Sequence, residues 1–306
     1  MKFTAYTFVF LAVFRMASAQ EKVPVLTLEK GQSFNRVITT ESQVEQTVDQ
    51  EKRESILRLT SYSKYEVIDV NPLGFSLKVH YDSLIMHIET KDFKTVYTSE
   101  SKDENDLMKV VLSEMTDKPF KITVTPQGKI IETQYMEDMF STIDEKLKRA
   151  HFEKRENTKS LMRQYFAGKG FISNFNLISH VLPEHAVVDN EKWIIATDIY
   201  SNYVGINKNE YEIQETNPEE IIIKGYGKIT TEPHIAHIQP TGLPVAYDLK
   251  GEAKSEHVLS SETGWVKNAK IVQKFEGEEI TRKTPQMKED LIISLKVKTT
   301  IKVDGY

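Results

Sequence analysis

Hydrophobic and polar residues alternate along most of this chain. In the C-terminal run EDLIISLKVKTTIKVDGY, apolar residues take the odd positions and lysines take several of the even ones. A period of two places successive side chains on opposite faces of a β-strand, so one face is predicted to be buried. That face carries Leu291, Ile293, Leu295, Val297, Ile301 and Val303. A strand of this length predicts a tall, curved antiparallel sheet.

Two hairpins of similar sequence occur in the two halves of the chain. KYEVIDVNPLGFSLKVHY and EYEIQETNPEEIIIKGYG each place an Asn-Pro turn between alternating strands. The identical pairs are Tyr65 with Tyr211, Glu66 with Glu212, Asn71 with Asn217, Pro72 with Pro218, and Lys78 with Lys224. A glycine turn follows each copy, at Gly128 and Gly264. We therefore predict an internal duplication of one β module, the alternative being a coincidence of common turns.

Helical periodicity is concentrated between the two β halves. YMEDMFSTIDEKLKRA and TKSLMRQYFAGKG carry apolar residues three and four apart, and SNFNLISHVLP ends at Pro183. An earlier stretch, SKDENDLMKVVLSEM, is predicted to be a helix in which Ser101 and Glu104 form a capping box. Because these apolar stripes need a surface to cover, we expect the helices to lie on the concave face of the sheet.

Together these patterns predict a β-rich α+β fold. One strongly curved antiparallel sheet, half-barrel-like and made of two pseudo-repeated β halves, is expected to carry helices on its concave face. Residues 1–19 are predicted to be a signal peptide, and residues 20–306 a single domain. Within that domain the first β half covers 25–133, the central helices 135–182 and the second β half 190–304.

The N-terminus has the features of a secretory signal. Lys2 precedes an apolar run, and Ala17, Ser18 and Ala19 form an A-x-A cleavage site. The run is shorter than the roughly 20 residues that a membrane-spanning helix needs. We expect an exported protein that does not span the membrane after cleavage. The periplasm is the predicted destination, with the extracellular space as the alternative.

Composition and charge argue against several classes of function. The chain has 306 residues, a formal net charge of −5 and no cysteine. The acidic balance argues against a nucleic-acid partner, because such a surface needs clustered lysine and arginine. Without cysteine, the chain has no thiolate nucleophile, no thiolate metal ligand and no lipid-modified N-terminal cysteine.

No motif with a known catalytic mechanism is complete. The G-x-S-x-G, H-E-x-x-H, P-loop and dinucleotide-binding glycine patterns are all missing from the sequence. The histidine pairs, His180 with His185 and His234 with His237, bring no third ligand, so we predict no metal and no cofactor. The sequence thus favours a protein that is not an enzyme and has no catalytic residue.

Aromatic residues of the second half allow two interpretations. Trp193 and Tyr203 fall on one side of a predicted strand, Tyr200 falls on the other, and Trp265 follows the turn at Gly264. Aromatic residues at such positions are most often core and rim residues. The alternative is a platform that contacts a ligand.

In this order, LTLEKGQSF, PFKITVTPQGKIIE, the helical middle, VVDNEKWIIATDIY and SSETGWVKNAK resemble an uncharacterised exported protein family of the Bacteroidetes, a domain of unknown function. The resemblance covers nearly the whole mature chain and implies no catalytic residue. The chain departs from the family pattern before Trp193, where Asn190 or Glu191 replaces a glycine. By fold analogy, the predicted architecture is similar to the LolA-like half-barrels of periplasmic lipoprotein carriers, which implies an apolar groove.

Two hypotheses of function remain, with an enzyme ranked last. In the first, a non-enzymatic envelope protein binds a lipid or other hydrophobic small molecule in a groove between sheet and helices. In the second, a structural module with a filled core meets an envelope protein through exposed strand edges. Under the first hypothesis, the predicted groove lining is Met139, Phe140, Ile143, Leu147, Leu161 and Phe166. Core packing is the default explanation of the same residues.

Overall fold

A computed structural model of the chain describes residues 24–48, 50–101, 106–116, 118–149, 151–166, 168–188, 190–201, 203–233, 236–238, 243–285 and 287–306. The predicted signal peptide, Glu104 and His234 lie outside these residues.

The described residues form thirteen β-strands and four α-helices. The strands of the first half are β1 (Ser33–Val48), β2 (Glu51–Asn71), β3 (Gly74–Thr90), β4 (Lys94–Thr98), β5 (Phe120–Val124) and β6 (Ile130–Gln134). Those of the second half are β7 (Lys192–Tyr200), β8 (Val204–Thr216), β9 (Glu220–Thr231), β10 (His237–Ile238), β11 (Pro244–Ser260), β12 (Val266–Thr281) and β13 (Leu291–Gly305). The helices are α1 (Leu107–Thr116), α2 (Met136–Lys146), α3 (Phe152–Phe166) and α4 (Gly168–Ser179), with a 3-10 turn at Leu147–Arg149.

All strands belong to one curved, unclosed antiparallel sheet. Their order is β6-β5-β3-β2-β1-β13-β12-β11-β9-β8-β7, with β4 beside β3 and β10 beside β11. The order contains two five-stranded meanders that cross the sheet in the same direction, one from β1 to β6 and one from β7 to β12. Strand β13 joins them, because it pairs with β1 on one side and β12 on the other. The predicted fold class is confirmed.

The two predicted hairpins have the same strand register. Glu66 pairs with Lys78 in the first hairpin, and Glu212 pairs with Lys224 in the second. A β-bulge follows Val67 in one and Ile213 in the other. Matching pairs and matching bulges are what a duplicated module produces.

The glycine turns of the two halves lie close together. The backbone N–H of Leu26 donates to Pro126 O in the first turn at 2.8 Å, and that of Thr27 donates to Thr263 O in the second at 2.9 Å. Gly128 and Gly264 both have positive φ, +86° and +69°, a conformation that favours glycine. The segment before β1 is therefore hydrogen-bonded to the equivalent glycine turns of both halves.

The helices cover part of the inner face of the sheet, and α4 bridges the end strands β6 and β7. The Ile130 N–H of edge strand β6 donates to Asn176 Oδ1 at 2.8 Å. At the other edge, Ser173 Oγ donates to Asp198 O at 2.6 Å and accepts from the Tyr200 N–H at 3.3 Å. Backbone groups at both edges are thus satisfied by one turn of one helix, which limits edge-to-edge pairing.

Some local predictions need correction. Helix α1 begins at Leu107, and its first N–H groups, of Met108 and Lys109, are directed at Asp106 Oδ1 rather than at Ser101. The first residue of β13, Leu291, is 45% exposed although it shares the inward alternation, because the strand extends past the packed helices. Among the described residues, no helix combines the length and hydrophobicity needed to cross a lipid bilayer.

Candidate functional site

Two cavities lie between the inner face of the sheet and helices α3 and α4. The larger, here called the large chamber, has a volume of about 130 Å³. The smaller, the small chamber, has a volume of about 60 Å³. The residues common to both walls are Thr40, Tyr165, Asn174 and Ile301. The chambers are therefore neighbours, separated by a few side chains.

The walls of the large chamber combine apolar and aromatic residues with a similar number of polar ones. The apolar and aromatic part is formed by Val44, Leu177, Ile199, Leu295, Val297, Ile301, Tyr165, Tyr200, Tyr203 and Tyr247. Polar side chains of β1, β13 and β12 cross its floor, where Ser42 pairs with Thr299, and Thr299 with Gln273. The hydroxyl groups of Ser42 and Thr299 lie 3.0 Å apart. This polar stripe separates the two clusters of buried hydrophobic residues in the protein.

Several polar groups of this chamber have no hydrogen-bond partner in the described part of the chain. They include Gln273 Nε2 and Thr197 Oγ1, whose residues are only 6% and 4% exposed. A buried polar atom without a partner is costly, and native proteins usually supply water or a ligand to satisfy it. The chamber is therefore suited to a guest with at least one polar atom.

Burial also fixes the ionisation of the wall residues. It raises the pKa of Tyr165 to about 12 and that of Tyr203 and Tyr247 further still, so all three hydroxyls remain protonated at neutral pH. Glu279, opposite Tyr247 in the β11–β12 register, has its pKa raised by burial. The large chamber thus offers hydroxyl donors and has two acidic residues in its lining, Asp198 and Glu279.

The small chamber combines aromatic rings with hydroxyl groups. Phe166, Phe171 and Phe175 face it from α3 and α4. From the sheet, Ser63 and Tyr65 of β2 line it, and Ser63 Oγ has no hydrogen-bond partner. No acidic residue is among its lining residues.

A buried arginine stands beside this chamber. Arg36 of β1 is the cross-strand partner of Ser63, and its guanidinium carbon lies 3.8 Å from the ring centre of Trp265. Its Nη1 donates to Ser179 Oγ at 3.0 Å, and its Nη2 donates to Val266 O at 3.1 Å. Burial lowers the pKa of Arg36 to about 10, so the side chain keeps its charge at neutral pH.

The structure places the six predicted groove residues mainly in the main core. Met139, Phe140, Ile143 and Leu147 are buried there, and Leu161 packs against it partly exposed. These five line neither chamber, whereas Phe166 lines the small one. Helix α2 packs against α1 rather than over the polar stripe, which explains the difference.

The strongest features of the site lie on β1 and β2 and were missed by sequence reasoning. The inward face of β1 mixes Arg36, Thr40 and Ser42 with Ile38 and Val44, so it lacks the clean alternation of β13. The available signal was the position of Arg36, two residues before Ile38 and thus on the same face of the strand.

The tryptophans belong to the core, and two tyrosines reach the site. Trp193 Nε1 donates to Val181 O at 3.0 Å, and Trp265 stacks on Phe34 with ring centres 4.6 Å apart. Tyr200 and Tyr203 line the large chamber. The aromatic residues therefore divide between the two interpretations of the sequence.

Two buried histidines lie near the site. Burial lowers the pKa of both His180 and His257 to about 4, so both are neutral at physiological pH. Within the described residues, no group of three or more His, Asp or Glu side chains is arranged to hold a metal ion.

Comparison with known proteins gives one family and distant structural neighbours. A family model described as "Family of unknown function (DUF6263)" matches residues 74–266, more than half of the chain. A search of curated proteins found no match. A solved structure titled "Lipid-protein interactions in lipovitellin" aligns with a TM-score of 0.51 and 10% identity. The alignment covers 92% of this chain and 25% of that one, so the chain spans about a quarter of lipovitellin's length.

A second structure, the COG4313 outer membrane channel from Pseudomonas putida F1, aligns at a TM-score of 0.27 and 7% identity. That alignment covers 92% of this chain and 97% of the channel. Of the two, the lipovitellin likeness alone is close enough to indicate a shared fold, and at this identity it indicates fold and nothing more.

Proposed function

We propose that this chain, which belongs to the family of unknown function DUF6263, is a non-enzymatic exported protein of the cell envelope that binds a lipid or other hydrophobic small molecule. The observation that carries the proposal is the large chamber between sheet and helices. Its walls combine aliphatic and tyrosine side chains with polar groups, some of them unpartnered within the described residues, and small-molecule sites join apolar surface to such polar groups.

The size of the chamber indicates what part of a ligand it holds. Its volume of about 130 Å³ is close to that of an engineered cavity of about 150 Å³ that binds benzene. A ring or part of a single hydrocarbon chain therefore fits, whereas a complete phospholipid does not. The fold shared with lipovitellin, whose structure title names lipid–protein interactions, supports the same ligand class.

The covered strand edges favour this proposal over a protein-interaction module. Such a module would recruit its partner through unpaired backbone groups at a sheet edge. Here Asn176 and Ser173 of α4 already bind backbone groups of β6 and β7. Fewer groups remain for strand addition.

A cavity-filling substitution tests ligand binding. Ile199→Phe adds volume inside the large chamber, whereas Ile194→Phe, on the same strand but 70% exposed, serves as the matched control. Calorimetric titration of lipid-stripped protein with n-decanol should show saturable binding for the wild type and for Ile194→Phe. Binding by Ile199→Phe should be at least tenfold weaker.

Native mass spectrometry of protein purified from its own envelope provides the complementary test. A co-purifying lipid in the wild type and its loss in Ile199→Phe would support the proposal. If no form binds decanol and no lipid co-purifies, the filled structural module is the better description.

Export is part of the proposal and rests on the A-x-A pattern that ends at Ala19. N-terminal sequencing of protein from the periplasmic fraction should begin at Gln20. An intact Met1 on protein found only in the cytoplasm would contradict export without affecting the ligand site.

A further inference from the structure

A buried cation beside the small chamber has no anionic partner in the described part of the chain. Arg36 is 1% exposed, and no aspartate or glutamate of the described residues forms an ion pair with it. Its hydrogen-bond partners, Ser179 Oγ, Val266 O and the hydroxyl group of Tyr65, are all neutral. A charge in apolar surroundings is costly unless an opposite charge or several hydrogen bonds compensate for it, and here Nε also lacks a partner.

Aromatic rings surround this cation without neutralising it. The guanidinium carbon lies 3.8 Å from the ring centre of Trp265, 5.5 Å from that of Tyr65 and 5.8 Å from that of Phe175. Cation–π contacts of this kind stabilise a buried arginine but leave its charge in place. The surrounding low-dielectric region therefore has a positive potential that no carboxylate of the described residues balances through an ion pair.

Two residues of the small-chamber wall, Ser63 and Tyr65, lie next to this positive charge. Ser63 lies directly across from Arg36 in the β1–β2 register, is 2% exposed, and has an unpartnered Oγ. The ring of Tyr65 contacts the guanidinium on one side and lines the chamber on another. The hydroxyl group of Ser63 and the positive charge of Arg36 thus lie at the same end of the small chamber.

The large chamber has the opposite electrostatic character. Its lining includes two acidic residues, Asp198 and the partly buried Glu279, whereas no acidic residue is among those that line the small chamber. A head group with negative charge is thus favoured at Ser63 and disfavoured near Glu279. The apolar walls around Ile199 and Val297 suit a hydrocarbon chain.

We propose that the ligand is a single-chain amphiphile with a carboxylate head group, bound with its carboxylate at Ser63 and Arg36 and its chain in the large chamber. This inference rests on the proposed function and specifies the class of ligand. The chain passes Tyr165, a side chain common to both walls, so a rotation of this residue would connect the two chambers. A carboxylate would accept a charge-assisted hydrogen bond at the otherwise unpaired groups.

Calorimetric titration with decanoate and with n-decanol tests the head group separately from the chain. At pH 7.5 the wild type should bind decanoate at least tenfold more tightly than decanol. Ser63→Ala should reduce that preference severalfold with decanol binding unchanged, and Arg36→Met should abolish it. Ser76→Ala, another buried serine that lines neither chamber, is the matched control and should retain the full preference.

The possible failures are distinguishable. Equal or tighter binding of decanol by the wild type would overturn the head-group inference while leaving the proposed hydrophobic site intact. Loss of both ligands would overturn both proposals. If Arg36→Met does not fold, Ser63→Ala decides the matter, because this substitution removes a single hydroxyl group and leaves Arg36 in place. An unchanged preference in Ser63→Ala contradicts the inference.

Discussion

Tyr65 and Tyr211 occupy equivalent positions in two hairpins of one sheet, and each is 1% exposed. Tyr65 pairs with Val79, whereas Tyr211 pairs with Gly225, which has no side chain. A Cβ atom at Gly225 would meet the ring of Tyr211, so this ring occupies the space beside the glycine. The two hairpins thus share their strand register, but the side chains on their inner faces differ.

The asparagine turns of the two hairpins should differ in their contribution to stability. Asn217 Oδ1 accepts hydrogen bonds from the N–H groups of Glu219 and Glu220, at 3.0 and 2.9 Å. Asn71 Oδ1 accepts one, from Leu73 at 2.9 Å. We expect Asn217→Ala to lower the free energy of unfolding by about 1 kcal/mol and Asn71→Ala by roughly half as much.

Urea unfolding of both variants measures this difference. Asparagine-to-aspartate substitutions at the same two positions keep the acceptor oxygen and serve as controls. Equal losses, or a larger loss at Asn71, would show that the second hydrogen bond contributes nothing.

Two glycines with positive φ, Gly128 and Gly31, allow the cost of a steric clash to be measured separately from the cost of backbone strain. Gly128 has φ +86° and Gly31 has φ +93°. A Cβ at Gly128 would overlap the carbonyl oxygen of Ser179 at the end of α4, while at Gly31 it would meet open space. Gly31→Ala should therefore cost about 1 kcal/mol for the left-handed conformation alone.

Gly128→Ala should cost at least about 2 kcal/mol more, because backbone rather than a side-chain tip must move. Thermal and urea unfolding of the two alanine variants give the comparison. Similar losses in both would mean that the Gly128 turn and α4 separate easily.

Burial of His257 should make the protein sensitive to mild acid. Its side chain is fully buried, and burial lowers its pKa to about 4 although a hydrogen bond with the backbone of Ile178 acts in the opposite direction. The unfolded chain, with a histidine pKa of about 6.5, binds the proton first as pH falls. Stability is thus complete above about pH 6.5 and decreases toward pH 4, by at most roughly 1.4 kcal/mol per pH unit from this residue.

Urea unfolding at several pH values tests this assignment. His257→Phe keeps an aromatic ring beside Tyr211 and should reduce the slope between pH 6.5 and 5, whereas the partly exposed His80→Gln is a control for loss of a histidine. His180, which burial affects in the same direction, should retain part of the slope. A slope unchanged in His257→Phe would contradict the prediction.

The sequence revealed the parts of the fold in which one face is uniformly apolar. The alternation of Leu295, Val297 and Ile301 identified β13, and the two Asn-Pro turns identified the repeated hairpins. The site was not visible, because it lies where the inward alternation is mixed, with Thr40 and Ser42 on the buried side of β1. The apolar stripe of α2 indicated that this face of the helix is buried, but it could not show which element packs against it.

The bridge made by α4 was invisible for a related reason. Ser173 and Asn176 are ordinary polar residues in a helix, and their meaning depends on two sheet edges that come from distant parts of the chain. Contacts between residues so far apart in the chain leave no periodic pattern or motif in the local sequence. The bridge nevertheless links α4 to both end strands of the sheet, and its loss should change local dynamics.

Loss of the Asn176 side chain should release the β6 edge. In Asn176→Ala the buried N–H of Ile130 has no acceptor, which should cost about 1–3 kcal/mol. Hydrogen exchange of the Ile130 amide should accelerate, while the Tyr200 amide, held by Ser173 at the opposite edge, should be affected less. Asn176→Asp keeps an acceptor and should preserve protection at Ile130, and the exposed Asn268→Ala is the control for loss of an asparagine. Equal acceleration at both amides would mean that α4 is released as a unit, and unchanged exchange at Ile130 would mean that another group protects this edge.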